Sequence, residues 1–244
     1  MARITEIKKN RHKVYDGSCK VVFQGNNEDE STLVLFYKDD LKYHGEIVNV
    51  SGKGVINNNI SSFLMEKLDL VGIENHFIEK DNMREQIVQI LDIIPVQVRV
   101  SNVAFGSYVT QYGVQEGFLF NDPMIEFRVK NPATLNPAIN ETQMVGFNWI
   151  APYEVKQIKK AARRVNDFLS GFFAACGLRL VECNLEFGRV FNGEDFILML
   201  ADEITPESCR MWDLETNQKF DIDAIAKADK PIEIYKEVAK RIGL

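Results

Sequence analysis

The 244 residues carry 29 lysines and arginines against 35 aspartates and glutamates, a formal net charge of −6, and 45% of them are hydrophobic. That is enough apolar material for one large domain or two small ones with a sizeable core. The basic residues are dispersed, which excludes the electrostatic footprint of a nucleic-acid binder, and no apolar run approaches the length of a membrane span, so any anionic ligand must be held by a few locally placed cations.

From the N-terminus, Val14-Tyr15, Val21-Val22-Phe23 and Leu33-Val34-Leu35-Phe36, with a polar turn over 24–30, read as antiparallel strands within 13–23 and 32–37. At Val55 the period becomes helical: Ile56, Ile60, Phe63, Leu64 and Leu68 share one side, and Gly72 is available as a stop. Phe77-Ile78, 87–91 and 95–100 are strand-like, and Pro95 marks a lobe boundary. Pro152 opens a helix that runs to about Cys176, with Val155, Ile158, Ala162, Val165, Phe168, Leu169 and Phe172 at three- and four-residue intervals and Gly177 behind it. Residues 179–187 and 195–200 form a hairpin around Asn192-Gly193, and a last helix covers roughly 231–242. This order predicts an α+β fold of two lobes: an antiparallel, strand-rich lobe over 1–94 and a larger α+β lobe over 95–244, with a ligand cleft between them.

Cys19, Cys176, Cys183 and Cys209 form no CxxC pair, and Met1-Ala2-Arg3-Ile4-Thr5-Glu6 is not a secretory leader, so a cytoplasmic chain with free thiols is expected. His12, His44 and His76 have no second ligand at metal spacing and are expected on the surface or in strands.

The segment Ala201-Asp202-Glu203-Ile204-Thr205-Pro206-Glu207-Ser208-Cys209-Arg210-Met211-Trp212-Asp213 sets an acid pair, a proline turn, an arginine and a Trp-Asp at fixed spacing. It offers carboxylates for a divalent cation and a guanidinium for an anion, the needs of phosphoryl transfer, although acidic proline loops also serve as plain surface turns. The segment resembles the DEISPDSCRLWD stretch of the SAICAR synthetase family. The likeness continues, in the family's order, through Tyr37-Lys38-Asp39-Asp40, Gly52-Lys53-Gly54-Val55-Ile56-Asn57-Asn58, Asn82-Met83-Arg84-Glu85-Gln86, Ile94-Pro95-Val96, Asn102-Val103-Ala104-Phe105-Gly106-Ser107 and Leu185-Glu186-Phe187-Gly188. Ser51-Gly52-Lys53-Gly54 is not a P-loop, because GxxxxGK[ST] is absent.

The resemblance implies a two-lobed ligase with an ATP cleft that joins L-aspartate to carboxyaminoimidazole ribonucleotide (CAIR) in purine biosynthesis, with ATP and Mg²⁺ as cofactors and a homodimer as the assembly. Glu186 and Asp202 match the acids that hold Mg²⁺ beside the nucleotide phosphates. Lys130 matches a lysine of the phosphate region, and Leu91-Asp92-Ile93 the interlobe strand against which adenine packs. Arg210 and Ser107 match the pocket for the CAIR phosphate, and Glu182 falls on the substrate side. Each residue type also has an ordinary use: solvated hairpin acids, a turn serine, a surface ion pair of Arg210 with Asp213, a core strand.

The chain departs from the family where substrate charges are met. The Gly-Lys-x-Lys expected before the first strand is aligned here with Lys9-Asn10-Arg11-His12 and Lys13, making Arg11 and Lys13 the candidate phosphate cations. The arginine usual before Asn102 is Ser101, an aspartate is replaced by Asn136 before Pro137, and Val-Asp-Phe-Lys is Val181-Glu182-Cys183-Asn184. The span from Asp40 to Gly52 is shorter and lacks Thr-Ala-Phe-Asn. Two other functions are compatible with these changes: a nucleotide-binding homologue with impaired catalysis, and an ATP-dependent ligase acting on a related carboxylate.

Overall fold

The computed structural model describes residues 11–25, 31–130 and 136–244. Lys9, Asn10 and most of the polar turn, 26–30, lie outside them. Strands β1 (Lys13–Asp16), β2 (Lys20–Gln24) and β3 (Thr32–Tyr37) are followed by a hairpin of β4 (Asp40–Tyr43) and β5 (Glu46–Asn49). Helix α1 (Lys53–Leu70), β6 (Phe77–Lys80) and β7 (Glu85–Gln89) come next. One antiparallel sheet has the order β1-β2-β3-β7-β6. The β4-β5 hairpin fills the shortened span after Asp40 and turns at His44-Gly45, whose φ angles of 47° and 88° suit a tight two-residue turn.

The Ser-Gly-Lys-Gly motif opens α1 for a packing reason. A Cβ on Gly54 would lie 2.4 Å from the Tyr37 carbonyl oxygen, so only glycine lets the helix approach the end of β3. The buried Lys53 ties the same turn to Glu207, at 2.7 Å, in the proline loop of the acidic segment.

The second sheet begins at β8 (Asp92–Val103), followed by a one-turn α2 (Ser107–Thr110), β9 (Leu119–Val129), β10 (Ala138–Ile139), α3 (Glu141–Gly146) and the long α4 (Pro152–Ala175). The remaining elements are β11 (Leu178–Phe191), β12 (Phe196–Ala201), β13 (Cys209–Asp213), β14 (Lys219–Phe220), α5 (Ile222–Lys227) and α6 (Pro231–Arg241). Strand order is β10-β9-β8-β11-β13-β14, with β12 pairing the far half of β11.

On β8, Val96, Val98 and Val100 enter the main core, and the period of two sends Gln97, Arg99 and Ser101 to the opposite face. On β11 the core positions change parity: Leu178 and Leu180 first, then Cys183, Leu185 and Phe187. A bulge at Val181, between the pairs Leu180–Met211 and Glu182–Arg210, inserts the extra residue. Glu182, Asn184 and Glu186 thereby share a face with Gln97, Arg99 and Ser101.

Helix α4 covers the other side of the sheet with Val155, Ile158, Ala162, Val165 and Leu169, and α1 adds Ile60, Leu64, Met65 and Leu68 to the same core. Fully burying each such side chain is worth roughly 1.5–3 kcal/mol. The main core therefore draws on residues from both sides of position 94/95, and Pro95 lies inside β8, at an irregularity where a residue without an N–H costs the ladder little. No helix among the described residues is long and apolar enough to cross a membrane.

Candidate active site

Glu186 on β11 pairs in register with Ala201, the last residue of β12, and Asp202 follows at once. Asp202 has φ 65°, a left-handed conformation that aspartate tolerates better than most residues, and the turn leaves its carboxylate close enough to Glu186 to perturb it. His76 secures this turn. Its Nε2 lies 2.9 Å from the Asp202 carbonyl oxygen and its backbone N–H donates to Leu200. A carbonyl only accepts, so Nε2 carries the proton, and burial pushes the ring's pKa down to about 4, which keeps it neutral. His76 is thus neither a surface nor a strand residue: it is buried behind the acid pair, just before β6, whereas His12 and His44 are exposed.

Two lysines meet these acids. Lys130 Nζ is 2.5 Å from Glu186 Oε2, and Lys20, from β2, is paired with both Asp202 and Glu203. Burial and the Asp202 charge push Glu186 up to about 7 in spite of Lys130. Burial opposes the charge of Lys20, but Asp202 together with the other groups around it more than offsets this and the ammonium titrates above its ordinary range. Burial also pushes the Cys19 thiol up to about 11, so it stays protonated and donates to Glu203 Oε1 at 2.8 Å.

Two cavities meet at this cluster. One, of about 560 Å³, is largely apolar, walled by Val22, Leu33, Leu35 and Val88 of the first sheet and by Leu91 and Ile93. The other, of about 250 Å³, is polar and is reached by Ser18, Lys42, Gln97, Asn184 and Glu207. Tyr15, Lys20, Lys130, Glu186 and Asp202 border both. An apolar slot of this size suits a planar heterocycle, and charged groups at its mouth suit the polar end of the same ligand.

Farther along the same sheet face lies a second cluster. Glu182 sits between two guanidiniums: its Oε1 is 3.5 Å from Arg210 Nε and its Oε2 3.4 Å from Arg99 Nε, while Ser101 donates to Oε2 at 3.2 Å. Arg210 also reaches Asp221 at 3.4 Å, pairs with Asp223, and stacks over Phe105 at 4.4 Å. Asp223 in turn accepts from Tyr43 on the β4-β5 hairpin at 2.9 Å. Asp213 pairs with Arg241 and not with Arg210. Ser107 opens α2 two residues beyond Phe105, after Gly106 at φ 54°.

The structure thus brings Glu186, Asp202, Lys130, Leu91 and Ile93 to one place, and Arg210 and Glu182 to a neighbouring one. Arg11 and Lys13 are elsewhere: Arg11 pairs with Glu85 at 3.2 Å, Lys13 with Asp16 at 3.0 Å, and neither borders either of these two cavities. The lysine-bearing loop at the cavity is the one between β1 and β2. Gly17-Ser18-Cys19-Lys20, between β1 and β2, carries the glycine and final lysine of Gly-Lys-x-Lys, and all four residues line the polar cavity. The spacing of that tetrapeptide was the available signal for Lys20; the basic run at 9–13 obscured it. Asp92 turns its side chain outward to Arg189 at 3.1 Å, leaving its neighbours Leu91 and Ile93 on the slot. Asn136, at φ 48°, accepts on its carbonyl from Arg128 at 3.2 Å.

The family model described as SAICAR synthetase matches residues 13–242. A phosphoribosylaminoimidazole-succinocarboxamide synthase of Rickettsia rickettsii is 47% identical over 234 residues, covering 95% of this chain and 98% of the relative. Among solved structures, the synthase of that name from Ehrlichia chaffeensis superposes with a TM-score of 0.90 at 36% identity, over 95% of this chain and 98% of its own. A SAICAR synthetase in complex with ADP gives 0.87 at 34% identity, over 94% and 97%. With the fold, the motif order and the length all shared, the chain belongs to the SAICAR synthetase family.

Proposed function

We infer that the protein is an ATP-dependent carbon–nitrogen ligase that joins L-aspartate to carboxyaminoimidazole ribonucleotide in purine biosynthesis. The observation that carries this reading is the position of Glu186 and Asp202 at the junction of an apolar slot and a polar cavity, in a chain of this family. In the reaction, the terminal phosphoryl group passes from ATP to a carboxylate oxygen of the ribonucleotide, releasing ADP. The aspartate amine then attacks the acyl carbon, a C–N bond forms, phosphate leaves with the former carboxylate oxygen, and the amine gives up a proton.

The adenine is assigned to the slot against Leu91 and Ile93, and the phosphates to its mouth, where Lys20 and Lys130 supply ammonium donors. The acid pair suits Mg²⁺: two converging carboxylates, one held near pKa 7 by burial and the other's charge, favour a hard cation that otherwise keeps waters and substrate phosphates. Bound there, Mg²⁺ supplies neutralisation of the charge on the transferred phosphoryl group. The first lobe then supplies Lys20 and the slot wall, the second the acids and Lys130, and the polar cavity takes the ribonucleotide and aspartate, with Arg210, Glu182 and Ser107 on the phosphate side. The family reading extends to a cytoplasmic homodimer.

The rival, a nucleotide-binding homologue without turnover, draws on the cations missing at Ser101 and Asn184. One assay separates the two: purified protein with ATP, Mg²⁺, the ribonucleotide and aspartate, ADP being followed in time. ADP release that needs both acceptor substrates is expected. Its absence at saturating substrate, with ATP binding intact, refutes the ligase.

A further inference from the structure

The resemblance implies substrate-facing cations at two positions where this chain has Ser101 on β8 and Asn184 on β11, and one guanidinium stands between them. Arg99 is two residues before Ser101, hence on the same face of β8, and it is the register partner of Asn184 on the neighbouring strand. Residues facing each other across antiparallel strands have Cβ atoms ~4.5–5.5 Å apart, so a long side chain from 99 sweeps the space that side chains from 101 and 184 would reach.

We propose that Arg99 binds the phosphate monoester of the ribonucleotide substrate, replacing with one relocated guanidinium the cations lost at 101 and 184. The proposal rests on the ligase reading above. Arg99 shares Glu182 with Arg210, so one buried carboxylate aligns both guanidiniums toward a single space. Arg210 is engaged by Glu182, Asp221 and Asp223 and by the Phe105 ring. Arg99 is spent far less: its ion-pair contacts are loose, 3.4 Å to Glu182 and 4.0 Å to Glu126, and its buried Nε–H has no hydrogen-bond partner among the described residues. A planar fork of five donors with so few acceptors, partly open to solvent beside the polar cavity's Asn184, is fitted to a tetrahedral dianion. Ser101 donates to the Glu182 oxygen that Arg99 approaches, on the side away from Arg210, and so holds the carboxylate in place between the two arginines.

The test is Arg99→Gln, which keeps a stem and an amide for Glu182 but removes the charge, together with Arg99→Gln/Ser101→Arg, which returns the guanidinium to the family position. Calorimetry with the ribonucleotide, and separately with ribose 5-phosphate, is combined with steady-state kinetics. The single variant is expected to bind both probes roughly tenfold or more weakly, as for loss of one charge-assisted hydrogen bond, and to raise KM for the ribonucleotide with KM for ATP and aspartate unchanged. The double variant is expected to recover most of that loss. Unchanged ribonucleotide and ribose 5-phosphate affinity in Arg99→Gln, in a protein whose ATP binding is intact, overturns the proposal, as does a loss confined to aspartate. If the wild type neither binds the ribonucleotide nor turns it over, it is the ligase reading that fails, and the two failures are thereby distinct.

Discussion

Replacing Glu186 by glutamine should change how the ligand-free protein responds to pH, and by a predictable amount. The Glu186 carboxyl titrates near 7 in the fold against an ordinary 4.5. Below about pH 4.5 it is protonated in both states; as pH rises toward 7 the unfolded chain ionises while the native one holds its proton, so native stability falls and stays lower above 7. At ~1.36 kcal/mol per pKa unit this amounts to roughly 3 kcal/mol. His76 has the opposite sign: its ring, near 4 in the fold against 6.5 outside, leaves stability intact above 6.5 and lowers it as pH falls toward 4. In the wild type the two slopes oppose each other through the mildly acid range. Glu186→Gln removes one and exposes the other, so the stability difference between variant and wild type should grow in the variant's favour by about 3 kcal/mol between pH 4.5 and 7. In melting temperature that is roughly 6–12 °C for a chain of this size. Urea unfolding of both proteins in a chelating buffer without nucleotide, at half-unit pH intervals, measures it. Parallel stability curves would refute the assignment of a raised pKa to this acid.

Lys20→Met leaves Asp202 and Glu203 without their shared cation and should cost about 3–5 kcal/mol of stability, as well as Mg-ATP affinity; a denaturation midpoint equal to wild type contradicts it. Asp202→Asn keeps a residue that accepts the left-handed turn but takes one of two carboxylates from the buried Lys20, so a ligand-free stability loss of about 1–3 kcal/mol and weaker Mg-ATP binding are expected, and calorimetry finding equal affinity removes Asp202 from the metal site. In Gly188→Ala the new Cβ would lie 2.7 Å from the Leu91 Cβ and displace this part of the slot wall: a stability loss of about 1–3 kcal/mol and weaker ATP binding are expected, and intact ATP affinity would show that the slot does not take the base.

The sequence by itself determined the long helices, the first strands and the central hairpin, with the core positions they carry. The helical repeat from Ile56 to Leu68, the proline-opened helix at Pro152 and the Asn192-Gly193 hairpin need only local periodicity and turn chemistry, and the structure has α1, α4 and β11-β12 at those positions. The acid pair was legible too, because a hairpin places Glu186 opposite Ala201 whatever surrounds it. What the sequence left open belongs to pairing between distant strands. Lys20 is marked only by a four-residue loop; it becomes a partner of Asp202 because the first sheet packs against the end of β12, some 180 residues later in the chain. Arg99 reads as one more alternating strand residue until the β8-β11 register sets it across from Asn184. The acids of β11 face the cleft only because the bulge at Val181 shifts the parity of the strand, and a side-chain period of two carries no information about which face is inward once a single extra residue can exchange them.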